Sequence, residues 1–277
     1  PNSVTKIRYG AFSGCTALAS VVLSENITEL EDGLTMGLNQ IQDGIFENCK
    51  GLTSIVIPNG VTQIGDRSFK GCTSLTSVSL PNSVTRIGVV AFGECTALAS
   101  VNLPSSVTSI GDFAFYKCSS LISIAIPHGI TSIEKSSFQY CSNLTSVTMP
   151  NSLTSIGEFA FAESGLTSVL IPNSVTNIKK EAFYTCPNLK RVVFSEGLKI
   201  IEQGAFWGSK LTSIILPNSL DSLGWQSFYN NSNHTVDTIS LGENLKSGIP
   251  YFPFSKVVIW NSINADIEGV PCKYLVI

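Results

Sequence analysis

Leu75–Ala97 reads LTSVSLPNSVTRIGVVAFGECTA, and the next 23 residues, Leu98–Ser120, read LASVNLPSSVTSIGDFAFYKCSS. The two lines are the same sentence. A fixed period of this length marks a solenoid, propeller or array, so it outranks any local reading of helix or strand. One phenylalanine sets the register: Phe12, Phe46, Phe69, Phe92, Phe115, Phe138, Phe161, Phe183, Phe206 and Phe228. The steps between them are 34, then 23 five times, then 22, 23 and 22. The long first step marks an insertion at residues 31–41 (EDGLTMGLNQI). An insertion of this kind maps to a loop on one flank. It is either functional or a tolerated surface loop.

Within one unit, Leu75-x-x-Val78-x-Leu80 is short, β-branched and alternating, and it stops at Pro81-Asn82. That is a strand closed by a residue unable to donate to a ladder. The part IGVVAFGEC is too short for an independent helix, and it reads as one tight helical turn that packs Ala91, Phe92 and Cys95. No such unit buries its own apolar face. Stacking units on one another does so, with the strands parallel and about 4.8 Å apart. A propeller blade needs about four strands, and one clear strand per unit argues against it. The expected fold class is an α/β repeat solenoid over 1–228, with one parallel sheet on one side and short helical turns or irregular structure on the other. Past Phe228 the pattern decays. Residues 229–277 read as degenerate repeats or a C-terminal cap, with strand-like stretches at 236–241, 255–260 and 273–277.

The motif LxxVxLPNSVTxIGxxAFxxC resembles the BspA-type leucine-rich repeat, a class found on bacterial and protist surface proteins. Leu52–Pro58 with Ile64-Gly65, Phe69 and Cys72 carries it, as does Leu144–Pro150 with Ile156-Gly157 and Phe161. The resemblance covers roughly residues 1–228. It implies a right-handed leucine-rich horseshoe or rod with its parallel sheet on the concave face. It also implies cell-surface or secreted display, and adhesion to host or matrix proteins. The chain opens at Pro1-Asn2-Ser3, inside a repeat and without Met, which reads as a piece of a longer protein. The missing leader then says nothing of compartment.

Composition narrows the chemistry. The net charge is −3 and only 13% of residues are charged. Without a basic stripe, nucleic acid is not an expected partner, and no apolar run has the length of a membrane span. Of eight cysteines, Cys15, Cys49, Cys72, Cys95, Cys118, Cys141 and Cys186 hold one repeat position and Cys272 stands apart. Stacked in one column, they read as interior thiols behaving as small hydrophobes. Disulfides are the rival reading. Two shortened units place Ser164-Gly165 and Ser209-Lys210 where the others have Cys-x-x, so this position is a tight corner. The two histidines, His128 and His234, form no set with a nucleophile. No metal pattern or phosphate loop is present. Neither catalysis nor a cofactor is expected. The acidic residues Glu25, Glu29, Glu31 and Asp32 read as a solvated edge rather than a weak cation site. Asn-x-Ser/Thr triplets at Asn26, Asn143, Asn230 and Asn233 would be glycan acceptors only in a eukaryotic secretory pathway.

Alternation along the strand assigns the exposed columns. One is Ser20, Ser54, Ser77, Ser100, Ser123, Ser146, Ser168, Arg191 and Ser213, a serine ladder broken at Arg191. The other is Val22, Val56, Ser79, Asn102, Ala125, Thr148, Leu170, Val193 and Ile215, apolar toward its end. Leu170, Arg191, Val193, Glu196 and Ile215 are therefore the candidate partner-binding residues. The competing explanation is strand propensity, or a cap folded over them. On the other side Val90, Phe113 and Phe159 share one position, and Tyr116, Tyr184, Trp207 and Tyr229 another. They are interface aromatics or packing between turns. The expected function is a non-catalytic protein-binding module. The alternatives are a passive spacer, or a targeting scaffold of a larger protein.

Overall fold

The computed structural model describes residues 2–30 and 44–229, with the strands Thr238–Leu241, Val258–Trp260 and Leu275–Val276 beyond them. The insertion at 31–41 lies outside the described residues, as do Glu31, Asp32 and His234. The chain divides into two units, Pro1–Ile130 with Glu134–Leu144, and Thr131–Ile133 with Thr145–Ile277.

From Ser54–Val56 to Ser213–Ile215 each repeat builds on the expected first strand, whereas residues 18–23 of the first repeat form none. In Ser77–Ser79 the two serines face out and Val78 faces in. The pairing is parallel and without slip: Ser54 lies beside Ser77 and Ser77 beside Ser100, with Ile55, Val78 and Val101 in line. Equal repeat lengths enforce this register, because a one-residue shift would turn Val78 out to water. After Pro81 the chain turns, with the Val84 N–H donating to the Pro81 carbonyl at 3.1 Å.

Expectation and structure differ on the number of strands. Each repeat carries a second strand of two residues, such as Arg86–Ile87, so within each unit a second parallel sheet accompanies the ladder of first strands. In the first unit the second sheet runs Lys6–Ile7, Glu29–Leu30, Gln63–Ile64, Arg86–Ile87 and Ser109–Ile110. In the second unit it runs Ser132–Ile133, Ser155–Ile156, Asn177–Ile178, Ile200–Ile201 and Ser222–Leu223. Two residues show no period of their own. They become a strand because the neighbouring repeat places the same two residues alongside.

The expected helical turns are absent: among the described residues there is no helix. The hydrogen bonds give the reason. In Gly88–Cys95 the N–H groups of Ala91, Gly93 and Cys95 close four-residue turns onto the carbonyls of Gly88, Val90 and Phe92. Those of Val90, Phe92 and Glu94 donate instead to Asp112, Ala114 and Tyr116 of the next repeat, at 2.9, 2.8 and 2.6 Å. A helix would keep all of these bonds within the segment. Left-handed backbone two residues either side of the ladder phenylalanine makes the alternation possible. Val90 sits at φ 57° and Glu94 at 63°, where the first repeat has Gly10 and Gly14. A β-branched residue there is strained by about 1–2 kcal/mol. We therefore expect Val90→Gly to stabilise the chain by about 0.5–1 kcal/mol, after glycine's greater freedom in the unfolded state is subtracted. A urea midpoint that stays put or falls would show that the site carries no such strain.

The core between sheets and turns is columnar. Phe12, Phe46, Phe69, Phe92, Phe115 and Phe138 stack in the first unit, with ring centroids 5.2–5.4 Å apart and planes within 9° of parallel. Phe161, Phe183, Phe206 and Phe228 do the same in the second, at 5.0–5.4 Å. The thiols form a parallel column. Cys72, Cys95 and Cys118 donate from Sγ to the carbonyls of Phe46, Phe69 and Phe92 in the repeat before, each at 3.1 Å. In the second unit Cys186 bonds the Phe161 carbonyl at 3.2 Å and touches Ser164 Oγ at 3.4 Å. The seven described cysteines are all free, and six are buried. Cys15 departs from the expected interior column, because it is exposed.

The sheet continues beyond Phe228. Ser213–Ile215 pairs in parallel with Thr238–Leu241, which pairs with Val258–Trp260, which pairs with Leu275–Val276. The rest of 229–277, read as degenerate repeats or a cap, falls largely outside the described residues.

Candidate functional site

The candidate residues belong to three consecutive first strands of the second unit, Ser168–Leu170, Arg191–Val193 and Ser213–Ile215. The middle strand pairs in register with the first, placing Ser168 beside Arg191 and Leu170 beside Val193. The Thr212 N–H donates to the Lys190 carbonyl at 3.2 Å, which brings in the third. Val169, Val192 and Ile214 point into the core, so their neighbours must point out. Leu170 is 64% exposed, Ile215 65% and Val193 37%. Arg191 is exposed two residues before Val193, on the same face.

Glu196 belongs to a different structure. Its carboxylate accepts the backbone N–H groups of Asn218 and Ser219, at 3.3 and 3.2 Å, and so closes the turn of the following repeat. The geometry brings Leu170, Arg191, Val193 and Ile215 together on one face and leaves Glu196 on the turn beside it.

Two further features escaped the sequence reading. Val22 and Val56 of the first unit are 98% and 70% exposed, more than the residues singled out above, and they border a cleft of about 470 Å3 with Val21, Leu23 and Ile57. The signal was present, since both stand in the same column as Leu170. The other feature is a buried ion cluster. Glu47 Oε1 is 2.6 Å from Arg67 and 3.1 Å from Lys70 Nζ, while Oε2 accepts the Gly44 N–H at 3.1 Å. Burial pushes this carboxyl up, but the hydrogen bonds from Arg67, Lys70 and Gly44 outweigh it and hold the group below its usual range. Asp66 similarly holds Arg86 at 2.8 Å and the Val89 N–H at 2.8 Å. Both carboxylates bind neighbouring repeats together rather than facing an open site.

The aromatic columns lie along the turns. Phe113, Tyr116 and Tyr140 meet edge to face at 5.6 Å, with Lys117 Nζ over the Tyr116 ring at 5.2 Å. In the second unit Tyr184, Trp207 and Tyr229 follow at 6.1 and 4.7 Å. All six rings touch a neighbour, which accounts for them as packing between turns. Among the described residues no group of three or more His, Cys, Asp or Glu side chains is placed to hold a metal ion. Among them, too, no helix is long and apolar enough to cross a membrane.

The repeat that generates this face matches a family model, the BspA type leucine rich repeat region, over residues 1–38, 39–164, 110–235 and 154–265. The chain belongs to the BspA-type leucine-rich repeat family. A leucine-rich repeat protein from Bacteroides ovatus is similar in structure, with a TM-score of 0.72 and 29% identity over 84% of this chain and 64% of its own. This chain thus spans less than two thirds of that protein. The pneumococcal vaccine antigen PcpA shares the fold at a TM-score of 0.54 and 18% identity, over 94% of this chain and 66% of its own. A leucine rich cell surface protein from Faecalibacterium prausnitzii matches at 25% identity over 77% of this chain and 82% of its own, with a TM-score of 0.47. Among curated protein sequences none matches significantly. Proteins of the BspA-type family are typically displayed on bacterial surfaces, and leucine-rich repeats are generally non-catalytic scaffolds that mediate contacts between proteins.

Proposed function

We propose that the chain is a non-catalytic binding module, displayed at the cell surface or secreted, that takes host-surface or matrix proteins on the face of its first strands. One observation supports this reading above the rest. Along the first-strand stretches the apolar exposure elsewhere falls on Val22, Val56 and Ile122, whereas three consecutive repeats of the second unit expose Leu170, Val193 and Ile215 side by side with Arg191 among them. Nothing in the repeat demands this, since the same column holds Ser79, Asn102 and Thr148 elsewhere. Strand propensity favours Val and Ile here, but it is no reason for an exposed Leu at position 170.

The test is a binding screen against extracellular-matrix and host-surface proteins, with Leu170→Glu/Val193→Glu alongside the parent. A partner centred on this face loses at least about 2 kcal/mol, roughly 30-fold in Kd, from two buried charges at a hot spot. Thermal unfolding should scarcely move, because both side chains already face water. A folded chain that binds none of the proteins would favour a passive spacer, to which the plain serine column would be well suited.

A further inference from the structure

Resting on that reading, we infer that the partner presents an acidic polypeptide segment, with carboxylates against Lys190, Arg191 and Lys210 and apolar side chains against Leu170, Val193 and Ile215.

The three cations are gathered by the backbone of two adjacent repeats. The Lys190 N–H donates to the Thr167 carbonyl at 3.0 Å, and the Lys210 N–H to the Leu189 carbonyl at 3.0 Å. Arg191 follows Lys190 directly and lies in register with Ser168. All three side chains are exposed. Lys190 and Arg191 sit at the start of the strand that ends in Val193, and Lys210 lies three residues before the strand that ends in Ile215. A segment laid along the strands would meet charge first and apolar surface next.

Among the described residues no structural task accounts for these charges. Among the described residues no carboxylate pairs with Lys190, Arg191 or Lys210. The acid closest in sequence to Lys190 and Arg191, Glu196, is engaged by the Asn218–Ser219 turn, and the one closest to Lys210, Glu202, accepts from Asn177 and the Lys180 N–H. Lysine often protects a sheet edge from pairing. Lys190 is not at an edge, because its backbone is bonded to Thr167 on one side and Thr212 on the other. Nor does the repeat demand charge there. The positions of Lys190 and Arg191 are Thr76 and Ser77 in one repeat of the first unit and Thr212 and Ser213 in the next repeat of the second.

The positive patch also runs against the chain as a whole, whose net charge is −3. A local patch opposed to the global sign acts on encounter and orientation. Rim charges of this kind set the association rate and its salt dependence, while the desolvated apolar centre holds the complex. A sulfated polysaccharide would satisfy the cations but leave the trio unmatched. A polypeptide can satisfy both, which is why it is the favoured occupant.

The experiment uses the whole chain with labelled methyl groups and three synthetic peptides of one length, built from Leu with Glu, Gln or Lys. The Glu peptide is expected to shift the Leu170, Val193 and Ile215 methyl signals. It should bind about 10-fold more tightly than the Gln peptide near 50 mM salt and about equally near 500 mM, where the Debye length has shrunk several-fold. Lys190→Glu/Arg191→Glu/Lys210→Glu should reverse the preference toward the Lys peptide. If the Gln peptide binds this face as well as the Glu peptide at low salt, the acidic partner is overturned while the binding face survives. If no peptide moves these methyls but heparin or phosphatidylserine vesicles do, the polypeptide is the wrong class. If nothing moves them and Leu170→Glu leaves every partner of the screen bound, both readings fall.

Discussion

Between about pH 8.5 and 10.5 the reduced chain should lose stability by roughly 5 kcal/mol per pH unit where four thiols of one column act together. The sign follows from where the protons sit. Burial, first of all, pushes the thiols of Cys72 and Cys141 up to about 12, and those of Cys95 and Cys118 well above the ordinary range. In the unfolded chain each ionises near about 8.5. Above that pH the folded state holds more protons than the unfolded one, so unfolding becomes easier as the pH rises. The stabilisation is fully present below about pH 8.5 and is lost progressively toward the folded values near 12. Each thiol contributes about 1.4 kcal/mol per pH unit in that window. The variant that isolates the effect is Cys95→Ser/Cys118→Ser. A hydroxyl does not ionise there, and the fold already accepts one at this corner, since Ser209 is buried and donates to the Phe206 carbonyl at 2.8 Å. Urea titrations at several pH values, under reductant, should show the double variant with a slope lower than the parent's by about 3 kcal/mol per pH unit. An unchanged slope would mean that the thiols are not its source.

How much of this molecule could be read beforehand differs from element to element. The phenylalanine register and the outward serines were legible because each side chain recurs at a fixed step and alternation settles its direction. The second strand was not, because Arg86–Ile87 has no pattern of its own and exists through its neighbours Gln63–Ile64 and Ser109–Ile110. The missing helix has a similar origin. The apolar spacing of Ala91, Phe92 and Cys95 suits a helical turn, but the donors between them serve the next repeat. At the candidate site, alternation found Leu170, Val193 and Ile215. It missed Lys190, because Lys190 and Arg191 are consecutive and both exposed just where the strand begins. Glu196 stands where other repeats have Asn82, Asn151, Asn173 and Asn218; the exchange is legible in the sequence, but not that its carboxylate closes the Asn218–Ser219 turn.

Phe92→Ala should cost about 4 kcal/mol, and Phe12→Ala much less. Phe92 is fully buried, with Phe69 stacked at 5.3 Å on one side and Phe115 at 5.4 Å on the other. Its removal opens a cavity in a column whose neighbours are held in register by backbone bonds, so the walls cannot close on it. The bonds from Phe92 to Ala114 and from Phe69 to Ala91 both measure 2.8 Å and fix the spacing of the repeats. The two ring contacts add about 0.5–1.5 kcal/mol each beyond their buried area. Phe12 belongs to the first repeat, stacks on Phe46 alone at 5.2 Å, and is only half-buried. In a one-dimensional stack stability is a sum of repeat and nearest-neighbour terms. An interior ring thus loses two interfaces and a terminal ring one. Phe92→Leu separates the contributions, because it refills much of the volume without the ring faces, and it should fall between Ala and the parent. Denaturant unfolding of the three variants decides the matter. Equal losses for Phe12→Ala and Phe92→Ala would mean that the column does not act through its neighbours, and the stacking account would fail.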